Sequence, residues 1–322
     1  MNYRISQAPM MDWSTPHQRY FIRQITKHTL LYTEMVTARA LVHGDAEKLL
    51  WHSPEEYPLA LQLGGNEPEL LYKACQIANK YPYFEINLNL GCPSDRVKSG
   101  AFGAALMADP VRVRECLIAM LESGAAVGAK IRIGIDDQEP DETLLPFVSH
   151  LSDLPLKTLT VHARKAILKG LSPKQNREIP PLDYSQAVRI KNEHPNQQVI
   201  LNGGLVDLKQ DQQWLESLDG IMYGRHAYHS PWSLHQADPL YFNQDAPSQS
   251  PFEAVRNCFP YLEARLSQGM YLGHFSRHIL GLFQGQPGAR NFRRILSEQG
   301  NRPGSGIHTI EHALEQIVEE PQ

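Results

Sequence analysis

Cysteine is scarce in this sequence of 322 residues, and long apolar runs are absent from it. The four cysteines are Cys75, Cys92, Cys116 and Cys258. They form no CxxC pair, which argues against structural zinc and a disulfide framework. No apolar run approaches the roughly 20 residues of a membrane-spanning helix, and the N-terminus lacks the pattern of a signal peptide. These absences predict a reduced protein of the cytoplasm with no membrane attachment.

Excess charge of one sign is also missing. The chain has 31 lysines and arginines against 35 aspartates and glutamates, a net charge of −4, so its overall charge gives no indication of nucleic-acid binding. The length suits one large domain of about 250 residues with a smaller one, or two to three domains of average size.

Eight strand-like runs, each followed by a stretch with helical periodicity, organise the first part of the chain. The runs cover residues 5–10, 30–36, 58–64, 83–91, 126–134, 158–163, 198–203 and 220–225. Eight such alternations predict an α/β fold in the form of a closed (β/α)8 TIM barrel. An open doubly wound sheet is the alternative, although it seldom has eight such regular units.

The composition changes near residue 240. Residues 242–251, FNQDAPSQSP, are polar with proline and serine, as in a linker. Residues 252–322 then show only helical patterns, including FEAVRNCFPYLEARLSQG, MYLGHFSRHILGLFQG and IHTIEHALEQIVEE. We therefore predict a catalytic barrel over residues 1–241, followed by a small all-α domain over residues 252–322.

Polar residues and glycines stand at the ends of the predicted strands, where barrel enzymes carry their chemistry. Glycines in NGG (202–204) and YGR (223–225) follow the last two strands, where phosphate commonly binds, although plain tight turns are the alternative. Lys130 lies within a strand and needs a partner if buried. With His162 it could hold an electron-rich ring such as reduced flavin, while a structural core histidine is the alternative for His162.

One cysteine stands out by its position. The stretch FEINLNLGCPSDRVKSGAFGAAL, residues 84–106, places Cys92 between Gly91 and Pro93 after the fourth predicted strand. A cysteine without charged neighbours is mostly a neutral thiol at pH 7 and can donate a proton, whereas cations such as Arg96 and Lys98 would favour its thiolate. From the residues alone, general acid, nucleophile and inert turn residue all remain open for Cys92.

Positive charge is concentrated in two segments. Residues 162–181 carry five lysines and arginines against one glutamate, and residues 252–310 carry seven arginines and no lysine against three glutamates. Such patches suit docking to a phosphate backbone, although a solvated helix face is the common alternative. His274 and His278 have the spacing of metal ligands on a helix, but no HEXXH acid accompanies them, and we expect no metal.

Taken in order, the motifs resemble those of the tRNA-dihydrouridine synthases. They are APMMDW, QLGGNEP, NLNLGCPSDRVKSGAFGAALM, KIRIG, VHAR, SPKQNREIPPLDY, NGG and YGRHAY, and the resemblance spans residue 5 to about residue 300. The stretches KGLSPKQNREIPPLDY and LGLFQGQPGARNFRR are similar to the DusA branch. The resemblance implies an FMN- and NAD(P)H-dependent oxidoreductase, with NADPH as reductant, and we expect the protein to be a monomer. It would reduce the C5–C6 double bond of uridines in the tRNA D-loop, at positions 20 and 20a.

The resemblance also implies residue roles. Reduced FMN would deliver hydride to uridine C6, and Cys92 would be the catalytic proton donor to C5. The implied FMN-binding residues are Ala8, Pro9, Met10, Gln62, Lys130, His162, Asn202, Gly203, Gly204, Gly224 and Arg225. The implied tRNA-binding residues are Asn89, Lys174, Asn176, Arg177, Arg290 and Arg293.

Two rival functions remain open from the sequence. A flavin barrel acting on a free pyrimidine, similar to dihydroorotate dehydrogenase, would not need the arginine-rich helical segment. A non-catalytic RNA-binding barrel would not need the intact set of Cys92, Lys130 and His162. Flavin absorbance of the purified protein and turnover of free uridine against tRNA distinguish the three.

Overall fold

A computed structural model describes residues 3–94 and 100–318 of the chain. Its eight parallel strands form one sheet in the order β1-β8-β7-β6-β5-β4-β3-β2. The strands are β1 Ile5–Gln7, β2 Leu31–Thr37, β3 Leu59–Gly64, β4 Ile86–Leu90, β5 Val127–Arg132, β6 Leu159–His162, β7 Val199–Asn202 and β8 Gly220–Tyr223. The sheet closes between β1 and β2, where Ser6 bridges Leu30 and the Gln7 N–H donates to the Leu30 carbonyl at 2.9 Å. The predicted (β/α)8 barrel is confirmed. Every strand lies inside its predicted run, except that β2 extends one residue beyond it.

The chain divides into two compact units, and the first contains the whole barrel. It comprises residues 1–11, 30–52 and 57–224. Its α-helices are Ala38–His43, Ala46–Leu49, Pro68–Ala78, Pro110–Glu122, Pro140–Ser149 and Ser185–Glu193. Short 3₁₀ helices cover Gly103–Ala108, Gln175–Arg177 and Gln210–Glu216. The connections therefore follow the strand–helix alternation of a parallel barrel.

Proline and a capping side chain set the start of several helices. Pro110 is the first residue of its helix, and the Asp109 side chain accepts a hydrogen bond from the Arg112 N–H at 3.0 Å. Proline suits this position because the first N–H of a helix has no partner within the helix. Prolines 16, 68, 140 and 251 occupy the same place in four other helices.

The interior of the barrel has an apolar part and a polar part. Seven buried side chains form the apolar cluster: Tyr3, Ala8, Leu30, Tyr32, Ala60, Ile200 and Met222. The polar part is built on β3 to β7 and includes Gln62, Asn87, Lys130, Thr160 and Asn202, all buried. Buried polar groups need hydrogen-bond partners, so the polar part indicates where the barrel carries out its function.

The second unit is helical and is assembled from three segments of the chain, residues 12–29, 53–56 and 225–322. Its α-helices are Pro16–Arg23, Arg225–His229, Ala237–Phe242, Pro251–Arg256, Phe259–Ser267, Gly273–Ser276, Ala289–Gln299 and Ile307–Leu314, and 3₁₀ helices cover Pro54–Glu56 and Pro231–Gln236. The unit thus includes two segments from the first 60 residues, which the predicted boundary at residue 252 leaves out. None of the helices in the described part of the chain has the length and apolar character needed to cross a bilayer.

Buried polar contacts join the three segments of the second unit. The buried Asp238 carboxylate accepts hydrogen bonds from the Thr26 hydroxyl at 2.7 Å and from the Lys27 N–H at 2.6 Å. Arg19 and Glu56 form a buried ion pair at 2.7 Å. Removing one member of such a pair leaves an uncompensated charge, so the three segments depend on one another.

One predicted helical stretch is mostly turns. Residues 270–285 contain a single helical turn, Gly273–Ser276. A Cβ atom at Gly281 would come within 2.3 Å of the His229 carbonyl oxygen, so the backbone here packs directly on another segment. Packing of this kind overrides local helical periodicity. Residues 319–320 of the predicted last helix lie outside the described residues.

Candidate active site

Cys92 lies two residues beyond β4 at the carboxyl end of the barrel and is half-buried. The N–H groups of Gly91 and Cys92 both donate to the Asn89 side-chain oxygen, at 3.2 and 3.0 Å. The Cys92 carbonyl accepts from the Ala104 N–H at 3.0 Å, and its Sγ lies 3.4 Å from the Ser94 hydroxyl oxygen. The loop therefore presents one thiol in a fixed place. Arg96 and Lys98 lie outside the described residues.

Two predicted ligand-binding amides touch each other beside this loop. The Asn89 Nδ2 donates to the Gln62 Oε1 at 2.7 Å, and both side chains are buried. Asn89 is on β4 and Gln62 is on β3, so the barrel brings together a predicted tRNA contact and a predicted flavin contact.

Two cations of β5 lie in the same interior. Lys130 Nζ donates to the Asn202 Oδ1 at 2.8 Å, and burial lowers the pKa of Lys130 to about 7, with Arg132 lowering it further and Cys92 opposing the change. Arg132 is buried and donates to the Gly91 carbonyl at 3.1 Å and to the Asn176 carbonyl at 3.2 Å. Burial lowers the pKa of Arg132 to about 9. Cations desolvated in this way favour an anionic or electron-rich ligand.

Glycines follow β7 and β8, and the space around them differs. Gly203 and Gly204 have φ angles of +116° and +71°, which residues other than glycine rarely adopt. A Cβ atom at Gly203 would lie 2.8 Å from the His162 ring. At Gly224 a Cβ would meet nothing closer than Ala8 at 3.8 Å, so the absence of a side chain there is not required by neighbouring protein atoms. Backbone without a side chain, as at Gly224, lets N–H groups come close to a phosphate.

Three more predicted flavin contacts, Ala8, Pro9 and Met10, follow β1 directly. The Ala8 N–H donates to the Tyr223 carbonyl at 2.7 Å, which places residues 8–10 beside β8, and Met10 is half-buried. Thr160 lies two residues before His162 on β6, so the two side chains share a face of the strand. Its hydroxyl is buried and has no partner among the described residues. An orphaned buried hydroxyl facing the interior fits a bound ligand or water. Arg225 begins the helix that follows β8 and belongs to the second unit.

The predicted tRNA contacts after β6 lie on one long loop. Lys174 is exposed and Arg177 is half-buried, at the short helix Gln175–Arg177. Asn176 is fully buried, and its amide bonds within the loop, donating to the Ile167 carbonyl at 2.9 Å and accepting from the Ile167 N–H at 2.7 Å. Its side chain therefore holds the loop in shape.

The second unit carries the other predicted tRNA contacts. A cavity of about 560 Å³ is lined by Arg290 and Arg293, together with His229, Gln284 and Gln286. The two arginines are three residues apart on the helix Ala289–Gln299, so they project from the same face. Both side chains are exposed.

The described residues contain no group of three or more His, Cys, Asp and Glu side chains that could hold a metal ion. The spacing of His274 and His278 has another explanation, because the His278 ring bonds to the Thr15 hydroxyl at 2.9 Å and to the Tyr228 hydroxyl at 3.2 Å. Burial lowers the pKa of His278 to about 3, so it is a neutral structural histidine.

Two residues that the sequence analysis did not select contribute to the site. Arg132 could have been found from KIRIG, since residues two apart in a strand share a face and Lys130 is one of them. Glu85 shares the face of Asn87 and Asn89 in the same way, but an acid in a strand gives no sign of its partners.

These features define a (β/α)8-barrel enzyme whose polar groups gather at the carboxyl ends of the strands. The chain belongs to the dihydrouridine synthase family, because the family model "Dihydrouridine synthase (Dus)" matches residues 6–318. It is 50% identical over 98% of both chains to a tRNA-dihydrouridine(20/20a) synthase of Vibrio parahaemolyticus. It is 47% identical to the protein of that name from Escherichia coli K12, over 98% of this chain and 92% of the relative.

Solved structures with low sequence identity share the fold. An old yellow enzyme homologue from Zymomonas mobilis superposes with a TM-score of 0.55 at 12% identity, covering 73% of this chain and 88% of the other. Morphinone reductase in complex with tetrahydroNAD gives a TM-score of 0.51 at 13% identity, covering 72% and 85%. At these identities the comparison concerns the barrel alone.

Proposed function

We propose that this protein reduces the C5–C6 double bond of uridines in tRNA, with FMN as cofactor and Cys92 as proton donor. The observation that carries the proposal is a single half-buried thiol, held after β4 by hydrogen bonds to its loop, in a chain that belongs to the dihydrouridine synthase family. The names of the relatives support tRNA as substrate and uridines 20 and 20a as targets. With tRNA as its substrate, we also propose a cytoplasmic location.

The residues present fit FMN. Gly224 leaves space for its phosphate, Gly203 and Gly204 give the backbone after β7 a conformation that glycine favours, and Lys130 offers a buried cation to its ring. Thr160 adds an unpartnered hydroxyl in the interior. When bound and reduced by NADPH, FMN supplies the hydride for C6 of the uracil.

The chain's own contribution is to hold a proton and to orient the base. Cys92 carries the proton on Sγ and delivers it to C5, which completes the saturation of the double bond. A neutral thiol suits this step, so orientation matters more than heightened reactivity. The Asn89 oxygen fixes the two N–H groups of the loop, and Arg132 fixes the Gly91 carbonyl. A target uridine has to leave its stack to enter, which is least costly in an irregular loop.

The proposal is tested with purified protein, NADPH and tRNA lacking dihydrouridine. We expect flavin absorbance in the protein and dihydrouridine at positions 20 and 20a, with no turnover of free uridine. Turnover of free uridine without tRNA would favour a pyrimidine dehydrogenase instead. Colourless protein that cannot be reconstituted with FMN would favour an RNA-binding barrel.

Replacing Gly224 by alanine tests the phosphate position. The methyl group would meet protein atoms only at 3.8 Å or more, so the variant should fold normally. If the space belongs to the FMN phosphate, we expect FMN to bind at least about tenfold more weakly, or about 1.4 kcal/mol. Gly306→Ala is the control, since its added methyl also meets neighbours at ordinary distance, 3.7 Å, in the second unit. Fluorescence titration of the apoprotein measures both, and equal affinities would refute the assignment.

Replacing Arg290 and Arg293 by glutamine tests the tRNA surface. Loss of two phosphate contacts should lower tRNA affinity and reduce the slope of log K against log salt by about 2. Arg256→Gln is the control, because the Arg256 guanidinium is exposed but already paired with Glu311 at 3.1 Å. Binding is measured at several salt concentrations. A slope equal to that of the wild type would remove these arginines from the interface.

A further inference from the structure

Side-chain amides form a continuous chain of hydrogen bonds through the polar part of the barrel. The Asn87 Nδ2 donates to the Glu85 carboxylate at 2.9 Å, and the Gln62 Nε2 donates to the Asn87 Oδ1 at 3.0 Å. The Asn89 Nδ2 then donates to the Gln62 Oε1 at 2.7 Å. Glu85, Asn87, Gln62 and Asn89 are all at most 8% exposed. We call these four residues the amide relay.

The amide relay ends at the catalytic loop. The Asn89 oxygen accepts from the N–H groups of Gly91 and Cys92, at 3.2 and 3.0 Å. Every amide therefore points its nitrogen towards Glu85 and its oxygen towards Cys92. An amide turned by 180° has nearly the same shape, so packing alone does not select this direction.

The Glu85 carboxyl group, at the end of the amide relay away from Cys92, selects this direction of the amides. An ionised Glu85 can only accept hydrogen bonds, so a reversed Asn87 would place oxygen against oxygen. Burial raises the pKa of Glu85, and hydrogen bonds from the Tyr32 hydroxyl at 3.0 Å and the Thr158 hydroxyl at 2.7 Å oppose that shift. Both carboxyl oxygens act as acceptors in this arrangement, so the Asn87 Nδ2 faces an acceptor. Space for it exists only because residue 128 is glycine, where a Cβ would lie 2.3 Å from the Glu85 oxygen.

We propose that Glu85 is a positioning residue, which acts through Asn87 and Gln62 to fix the Asn89 amide and with it the Cys92 loop. This proposal rests on the proposed function and deepens it. The oxygen atom of Asn89 is occupied by two backbone N–H groups, so the hydrogen left on its Nδ2 is what the side chain offers to a substrate.

Glu85→Gln removes the charge and keeps the shape. Its amide can take either direction, because the hydroxyls of Tyr32 and Thr158 can accept as well as donate. We expect alkylation of Cys92 by iodoacetamide in the ligand-free protein to become about tenfold faster, and uridine reduction in tRNA to become about tenfold slower, as for the loss of one charge-assisted hydrogen bond. The other three cysteines are buried, so alkylation reports on Cys92.

Two further variants separate positioning from general stability. Thr158→Val removes one hydrogen bond to Glu85 but leaves the amide relay and its charge, so both rates should stay at wild-type values. Glu85→Gln with Asn87→Asp moves the carboxylate one link along, where it still accepts from Gln62, and should restore both rates. Thermal melting of each variant records the change in stability separately.

The outcomes divide cleanly. Wild-type rates in Glu85→Gln, equal losses in Glu85→Gln and Thr158→Val, or no recovery in the double variant would each overturn the proposal. If Glu85→Gln does not fold, the double variant decides, since wild-type rates support the amide relay and tenfold changes refute it. The alkylation rates do not depend on the reaction. A wild-type protein that forms no dihydrouridine therefore counts against the proposed function alone.

Discussion

Cys92→Ala is expected to lower dihydrouridine formation in tRNA by roughly 10²- to 10⁴-fold, the usual contribution of a positioned general acid. Reduction of the flavin by NADPH should be unchanged, because that half-reaction needs no proton from the thiol. Cys92→Ser should also be strongly impaired, since a hydroxyl is a far weaker acid than a thiol. Stopped-flow measurement of flavin absorbance follows both half-reactions, with NADPH for the first and tRNA lacking dihydrouridine for the second.

Cys116→Ala is the matched control for this experiment. Cys116 is fully buried in the helix Pro110–Glu122, and burial raises the pKa of its thiol to about 12. Its removal should cost some stability and leave both half-reactions as they are. A Cys92→Ala enzyme that reduces tRNA at the wild-type rate would show that the proton comes from another group.

Lys130→Met is expected to stabilise the ligand-free protein at neutral pH and below. Burial lowers the pKa of Lys130 from 10.5 to about 7, so between these values the unfolded chain binds more protons than the folded one. The free energy of unfolding of the wild type therefore rises with pH across this window, and below pH 7 the full cost of a buried charge remains. At about 1.36 kcal/mol per pKa unit, less the hydrogen bond to Asn202, the gain should be roughly 3 kcal/mol.

Urea denaturation at several pH values measures this difference. The gain from Lys130→Met should shrink as the pH rises towards 10.5 and become a loss of about 1 kcal/mol above it, where lysine is neutral in both states and only the hydrogen bond to Asn202 is missing. Lys157→Met is the control, since Lys157 is exposed in the same unit and its removal should give no such trend. FMN affinity should fall in Lys130→Met, because the cation that we propose for the cofactor ring is lost. Destabilisation that is the same at every pH would contradict the buried-charge argument.

Local patterns were sufficient to predict the barrel. Strand period and helix period alternate eight times in the sequence, and parallel strands so connected have few ways to pack. The predicted runs therefore locate all eight strands, although β1 ends and β4 begins three residues inside its predicted run. Because strand ends meet at one face of a barrel, the sequence is sufficient to group Cys92, Lys130 and the glycines after β7 and β8. That part of the site follows from topology.

The rest depended on contacts between residues far apart in sequence. No local pattern shows that the Asn176 amide donates a hydrogen bond to the backbone of residue 167, or that Glu85 accepts one from Asn87. The boundary of the helical unit was missed for the same reason. Its early segments, residues 12–29 and 53–56, are bound by partners such as Asp238 that lie far along the chain.

The three-segment construction of the helical unit has a consequence for synthesis and evolution. Thr26 and Lys27 leave the ribosome early, but Asp238, which accepts their hydrogen bonds, follows only after every barrel strand has been translated. The unit can therefore be completed only late, after the barrel sequence is available to fold. Its gene segment is also not an exchangeable cassette, because a helical unit moved without residues 12–29 would carry a buried carboxylate with no donors.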